Sequence, residues 1–544
     1  MGRMLFGSFG IFIILTLVFS SALCTSSSNQ LVQGGPELWT KLGQKFYQEN
    51  QYNESVACYD KALEIASEDA GSWNGKGASL YMLGRYNESI ECYDKAIALD
   101  PGYVHAWNNK GNSLRDLGHY NESIECYDKA LALDPEYVYA WHNKGNSLRD
   151  LGRYNESIEC YDKAIALDPG YVHAWNGKGW AFYDLGRYNE SIECYNKAIA
   201  LDPEYASPWC GKGDAFYELS RYNDSIECYN EALAINPNYV YVWYCKGWAF
   251  YDLSLYNESI EYHDKAIALD PEYASPWCGK GWAFYDLGLY NESIECHNKA
   301  TALDPEYASP WCGKGWAFCD LGRYNESIEC HDKAIALDPE YASPWCGKGW
   351  TFYELSRYND SIECYNEALA LNPNSAYIWY RKGWAFYDLG RYNESIECYN
   401  KALALDLGYI DAWIDKGWIL LELGLYNESI ECCDKAIALD PENALAWNNK
   451  GWALCSLGEY DDAIEHADRA IELDSNVSAF WDTKGQALLK LGRYEEALAC
   501  FDKVIELGPE EAEPWHRKGL ALQALGREDE AELAFARAEA LGIE

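Results

Sequence analysis

Residues 70–103 read AGSWNGKGASLYMLGRYNESIECYDKAIALDPGY. Trp73, Gly77, Leu80 and Leu83 fall at helical spacing, and Gly84 supplies the left-handed residue that ends a helix, so a first helix is predicted over 70–83. Asn87 is placed to cap a second helix, with Glu88 in its positive first turn and Ile90, Tyr93, Ala96 and Ile97 as its buried stripe. Asp100-Pro101 stops it. Gly77 and Ser89 are small where the two helices approach closely, and Ala96 is small where the second helix meets whatever follows. On the exposed side Glu91 precedes Lys95 by four residues, an ion pair worth about 0.2 to 0.5 kcal/mol. Two helices of this length cannot bury both of their apolar faces, so the stretch is stable only as one member of a stack.

The rest of the chain supplies the stack. From Trp39, every step of 34 residues lands on Trp again, through Trp73, Trp107 and Trp141 to Trp481 and Trp515. Counted from three residues before each Trp, fifteen repeats run from Pro36 to Glu544. Copying of one short unit also explains why 544 residues hold 23 Trp and 45 Tyr but 3 Met. Repeats six and seven nearly recur as ten and eleven, as after duplication of a four-repeat block. The last repeat carries Glu528-Asp529 where others have Tyr-Asn, and Glu532 where they have Ile, which reads as a polar cap. The formal net charge of −42 removes the phosphate contacts on which nucleic-acid binding depends.

The pattern of Trp73, Gly77, Leu80, Ser89, Tyr93, Ala96 and Pro101 resembles the tetratricopeptide (TPR) repeat. Two departures recur. The Leu before the Gly is Lys in all repeats but the first (Lys76, Lys110 and onward, against Leu42), and the small Ala of the second helix is Ser in twelve. Neither opposes the fold, because a Lys stem lies along apolar surface with its ammonium in water and Ser is nearly as small as Ala. Long arrays with this Lys-Gly variant are similar to those of methanogenic archaea. The resemblance implies an all-α fold, a right-handed α-solenoid of about fifteen helix-turn-helix units over 36–544.

It also implies a concave groove lined by the first helix of each repeat, with ligand contacts at the second, fifth, ninth, twelfth and thirteenth positions. The ninth position holds Trp180, Trp248, Trp282, Trp316, Trp350, Trp384, Trp418 and Trp452; the twelfth includes Tyr183, Tyr251 and Tyr285; the thirteenth includes Asp184, Asp252, Asp286 and Asp320. Early repeats place Asn112, Arg115, Asn146 and Arg149 there instead. An aromatic, acidic groove fits a protein or extended peptide of basic character, with sugar stacking as an alternative. The plainer alternative is that these rings pack sideways and thicken the wall. No P-loop, Gly-x-Ser-x-Gly or His-Glu-x-x-His motif occurs, and the array leaves no room for a catalytic domain, so a non-catalytic scaffold without cofactor is expected. A structural surface glycoprotein or spacer is the competing expectation.

Residues 1–24 open with a short basic start and 18 uncharged, mostly apolar residues, which reads as a cleaved signal peptide or an uncleaved membrane anchor. Residues 25–35 read as a flexible spacer, and either reading places the repeats outside the cytoplasm, secreted or anchored. In an exported chain, Asn53, Asn87, Asn121, Asn155, Asn189, Asn223, Asn257, Asn291, Asn325, Asn359, Asn393, Asn427 and Asn476 are candidate N-glycosylation sites. Asn as a helix cap and Ser as the small packing residue explain the same motif without glycan. Of the 21 cysteines, twelve share one repeat position (Cys58, Cys92, Cys126 and onward). Packed helices lie about 8 to 10 Å apart, beyond disulfide reach, so free, half-buried thiols are expected. His263, His297 and His331 occupy the core Tyr position, and a helical ladder spaces them too widely for zinc, so satisfied core histidines are expected and no metal.

Overall fold

The structure is a computed structural model that describes residues 35–543. The expected signal or anchor segment (1–24) and all of the expected spacer but Gly35 lie outside the described residues. Thirty α-helices and no strand occur among the described residues, in fifteen pairs of a first helix (A) and a second helix (B). No described helix is long and apolar enough to cross a membrane. The described helices fall into two compact units, divided between Asp270 and Pro271. Within each, every A helix packs on its own B helix, and each B helix on the A helix that follows. This is the all-α solenoid of helix pairs that the 34-residue period requires.

Repeat two shows why these residues make this pair. Its A helix spans Ala70–Met82 and its B helix Tyr86–Leu99. Gly84 stands at φ 73°, as do its counterparts in most repeats near that value. Three repeats put Ser there instead, with Ser220, Ser254 and Ser356 held at φ 57° to 59°, a conformation that crowds an L side chain at about 1 kcal/mol or more. Ser356→Gly is accordingly expected to stabilise the second unit by about 1 kcal/mol in urea unfolding, with no change in slope. A neutral or destabilising effect would contradict the strain.

Asn87 is not the cap of the B helix. The helix begins at Tyr86 and its N-cap is Arg85, which makes no side-chain cap bond. Because the helix starts two residues after Gly84, with Arg85 at φ −89° and ψ 61°, Asn87 lies inside the first turn. The turn is fastened instead by the Arg85 guanidinium, whose Nε and Nη2 donate to Glu88 at 2.7 and 2.6 Å. The same pair recurs at Arg153–Glu156, Arg493–Glu496 and Arg527–Glu530.

The two departures from the family pattern turn out to be bonded. Ser89 is fully buried and donates to the carbonyl of Gly77 at 2.8 Å, tying B to A where they touch. Ser55, Ser157, Ser191, Ser395 and Ser429 do the same in their repeats. The Lys of the Lys-Gly step reaches back to the preceding B helix: Lys110 to Asp94, Lys144 to Asp128 and Lys178 to Asp162, each at 2.6 Å. Lys144 and Lys178 also sit over the Trp three residues earlier, at 5.8 and 5.7 Å from the ring centre. The expected Glu–Lys pair four residues apart forms at Glu261–Lys265 and Glu397–Lys401, but Glu91–Lys95 does not close.

In several repeats the core is one ring between two glycines. Tyr195, at 0% exposure, is faced by Gly179 of its own A helix and Gly211 of the next; a Cβ on either would fall 2.5 and 2.4 Å from the ring. His297 and His331 take this place in repeats eight and nine, between Gly281 and Gly313 and between Gly315 and Gly347. Sequence reasoning expects satisfied histidines. Neither ring nitrogen of His297 or His331 has a hydrogen-bond partner, because the glycine faces and the Trp ring around each slot offer none. Among the described residues no group of three or more candidate ligands gathers for a metal.

The described cysteines are all free. Most are buried rather than half-buried, and burial pushes thiols such as Cys92, Cys126 and Cys160 up to about 11. They behave as small apolar side chains and are poor nucleophiles at neutral pH.

Candidate functional site

The A helices carry the residues that pattern reading assigned to a groove. Positions nine, twelve and thirteen of a helix lie within one turn of one another, so repeats five, seven, eight, ten and eleven each present a Trp, a Tyr and an acid together. Trp180, Trp248, Trp282, Trp316, Trp350, Trp384 and Trp418 are all half-buried, as are Tyr183, Tyr251 and Tyr285. Asp184, Asp252, Asp286 and Asp320 are exposed.

One edge of each Trp is engaged with the wall. Trp180 stands edge-on to the core ring Tyr195 at 5.8 Å, Trp282 to His297 at 5.7 Å and Trp316 to His331 at 6.0 Å. Trp350 meets Trp384 at 6.1 Å, and Trp418 meets Trp452 at 5.1 Å. Trp282 Nε1 donates to Ser309 Oγ at 3.4 Å and Trp418 Nε1 to Tyr387 Oη at 3.0 Å. The stripe is thus both architecture and surface. Trp277, of the repeat-defining Trp series, is half-buried too, with its Nε1 on the Pro271 carbonyl. Trp282→Ala and Trp277→Ala are therefore expected to destabilise alike, by about 2 kcal/mol, below the 3 to 5 of a fully buried ring. Chemical unfolding of the two variants checks this; a cost under about 0.5 kcal/mol for Trp282 alone would make it a free surface residue.

The carboxylates are held in place by a bond that pattern reading missed. The Tyr at position twelve donates to the acid at position thirteen of the following repeat. Tyr81 bonds Asp116 at 2.5 Å and Tyr183 bonds Glu218 at 3.2 Å, while Tyr217–Asp252 and Tyr353–Asp388 make the same contact, as do Tyr285 and Asp320. Burial first, and then the acceptor carboxylate, drives these phenols far above their ordinary range. The signal lay in the sequence as a Tyr and an acid separated by 35 residues, one more than the period. In the early repeats the polar residues are spent internally: Asn112 accepts from Tyr127, Asn146 accepts from Tyr161, and Arg149 pairs with Asp184 at 3.7 Å.

Two further carboxylates, buried Asp214 and half-buried Asp415, were also missed. Asp214 stands at position nine of repeat six, where its neighbours have Trp, and is 4% exposed. Asp415, at position six of repeat twelve, accepts on Oδ2 from Trp384 Nε1 at 2.7 Å and Tyr380 Oη at 2.9 Å. Each lines a cavity, of about 380 Å³ at Asp214 and about 200 Å³ at Asp415. The gap in the Trp series at 214 was the readable sign.

The candidate glycosylation asparagines, from Asn53 to Asn476, are all exposed. The Ser of the motif is fully buried in the twelve helix-start sequons. Its packing accounts for the recurrence of the motif, where a capping Asn does not; the bond to the A helix forms in only some repeats, and Ser225, Ser259, Ser293 and Ser361 have no partner.

Family models described as TPR repeat match residues 43–84, 179–219, 213–254 and 315–355. Models described as tetratricopeptide repeat match 70–103, 104–137, 138–171, 274–307, 346–408, 414–478 and 483–543. Together they tile most of the array. The chain belongs to the tetratricopeptide repeat family. No curated protein matches it. Among solved structures, a chain of the crystal structure of the APC/C hetero-tetramer Cut9-Hcn1 is similar, with a TM-score of 0.53 and 15% identity over 91% of this chain and 98% of that one. At that identity the likeness concerns the TPR fold alone.

Proposed function

We propose that this TPR protein is a non-catalytic scaffold, held outside the cytoplasm, that takes an extended protein segment along the face of its A helices. TPR repeats generally bind proteins or peptides. The observation that carries the reading here is the row of half-buried Trp beside exposed carboxylates already oriented by Tyr of the preceding repeat. Rings fixed on one edge and open on the other provide contact area at little entropic cost, and preset carboxylates select cations. With a net charge of −42, the partner segment is basic. The uncharged, apolar stretch from Met4 to Ser21, read as a signal peptide or anchor, supports the location.

Binding of Lys-rich and Glu-rich decapeptides to the full chain, followed by Trp fluorescence, tests the reading. The Lys-rich peptide is expected to bind and to weaken about tenfold between low and physiological salt, as partly screened pairs do. Asp286→Lys with Asp320→Lys is expected to abolish capture without unfolding the chain. Equal binding of both peptides, or capture unaffected by the reversal, would count against the groove.

A further inference from the structure

The cavity at Asp214 differs from the rest of the A-helix face. Its Oδ1 accepts a short bond from Tyr229 Oη at 2.7 Å. Its Oδ2 has the Cys210 thiol at 3.8 Å and Tyr241 Oη at 3.5 Å, both long contacts, and the Cys245 thiol, a weak donor, also reaches the carboxyl. A buried carboxylate with one oxygen so poorly served is costly as an anion. Asp415 is the contrast, since its Oδ2 takes two short donors.

The remaining walls are aromatic: Tyr183, Tyr217, Tyr241, Tyr244 and Trp248 line the same space of about 380 Å³. Tyr241 is 41% exposed and Glu218 is exposed, so the cavity meets the surface of the A-helix face. The ionisable groups facing Asp214 are Cys210 and Glu218 on its own helix, Tyr229 on the B helix, Tyr239 just before the next A helix and Tyr241 and Cys245 on it, with Tyr183 and Tyr195 on the A and B helices of the repeat before. Each of these is neutral or acidic. One carboxylate oxygen looking into a ring-lined space is the arrangement that holds an ammonium ion, by charge at one point and by ring faces around it.

We propose that the cavity at Asp214 receives one alkylammonium group, borne on a lysine of the partner segment or on a small organic amine. A guanidinium fits less well, because its fork wants two carboxylate oxygens and Oδ1 is already taken by Tyr229. Only the lysine-borne form rests on the groove reading above. Burial holds the Asp214 carboxyl up to about 7, so the empty site is half neutral at physiological pH and an entering cation drives it to the anion.

The test is calorimetric titration of the full chain in nonionic detergent with n-butylammonium, n-butylguanidinium, and two Ser/Ala octapeptides with a central Lys or Gln. Butylammonium is expected to bind at one site, with affinity rising about tenfold from pH 6 to pH 8 as the carboxyl ionises. Asp214→Asn keeps the shape and should bind about tenfold or more weakly with no pH dependence, while Asp415→Asn should bind as the wild type does. If Asp214→Asn fails to fold, Tyr241→Ala, at an exposed ring, should still weaken binding about threefold or more. Absence of saturable binding, equal binding by Asp214→Asn or by a Tyr241→Ala that replaces it, or butylguanidinium binding as tightly as butylammonium would overturn the inference. Tighter binding of the Lys octapeptide, lost in Asp214→Asn, makes a partner's lysine the ligand. Binding of free amine alone leaves the cavity's assignment standing while the groove reading fails; peptide binding indifferent to Asp214→Asn does the reverse.

Discussion

Lowering the pH from 7 to 4.5 is expected to cost the wild-type chain about 5 kcal/mol more stability than a His297→Tyr/His331→Tyr variant, at about 1.36 kcal/mol per pKa unit for each ring. Both rings are fully buried, and burial, with Lys314 beside His297 and Lys348 beside His331 adding to it, lowers each to about 3. In the unfolded chain a histidine takes its proton near pH 6.5, whereas the folded slot refuses it until about pH 3. The unfolded state therefore binds more protons between those values, and the folded state loses stability progressively as the pH falls through that window. Tyr has no basic nitrogen and fills the same glycine-flanked slot at Tyr195. Urea unfolding of the two chains at pH 7 and pH 4.5 measures the difference directly. Parallel losses in both would mean that the rings find a proton partner in the folded state. At pH 7 the variant is expected to be close to the wild type, since two unbonded imidazoles are exchanged for phenols and the Tyr195 hydroxyl in the same kind of slot is itself unbonded.

Gly211→Ala is expected to cost about 1 to 3 kcal/mol in the wild-type chain and close to nothing in a Tyr195→Leu background. The added Cβ would fall 2.4 Å from Tyr195 Cζ and 2.5 Å from its hydroxyl oxygen, and a ring at 0% exposure has nowhere to retreat. Tyr195→Ala itself should cost about 3 to 5 kcal/mol, the range for emptying a large aromatic site. Because the ring belongs to repeat five and Gly211 to repeat six, the non-additivity measures how tightly neighbouring repeats are joined. Additive effects in the double-mutant cycle would mean that the two repeats do not share this slot.

The repeat, the helix pairs and the left-handed Gly84 were legible because the 34-residue period, the helical spacing of Trp73, Gly77 and Leu80, and a residue without Cβ each act locally. The helix start was misread at Asn87, since cap preference is weak beside the geometry of a two-residue turn whose first residue is Gly84. Of the candidate face, the ring and acid positions were readable from the period. Their state of burial was not, because it depends on which core ring lies behind each Trp.

Sequence alone determined that this chain is an array of helix pairs, that Gly and Ser stand where helices touch, and that its surface is acidic, because these follow from spacing, size and charge within one repeat. Tertiary structure alone decided which atoms meet across repeats: Lys144 on Asp128, Tyr183 on Glu218, Tyr195 between Gly179 and Gly211, and an Asp214 oxygen left facing an aromatic cavity. The physical reason is that such contacts depend on the rotation and rise from one helix pair to the next, which the stacked cores set together and no single repeat encodes.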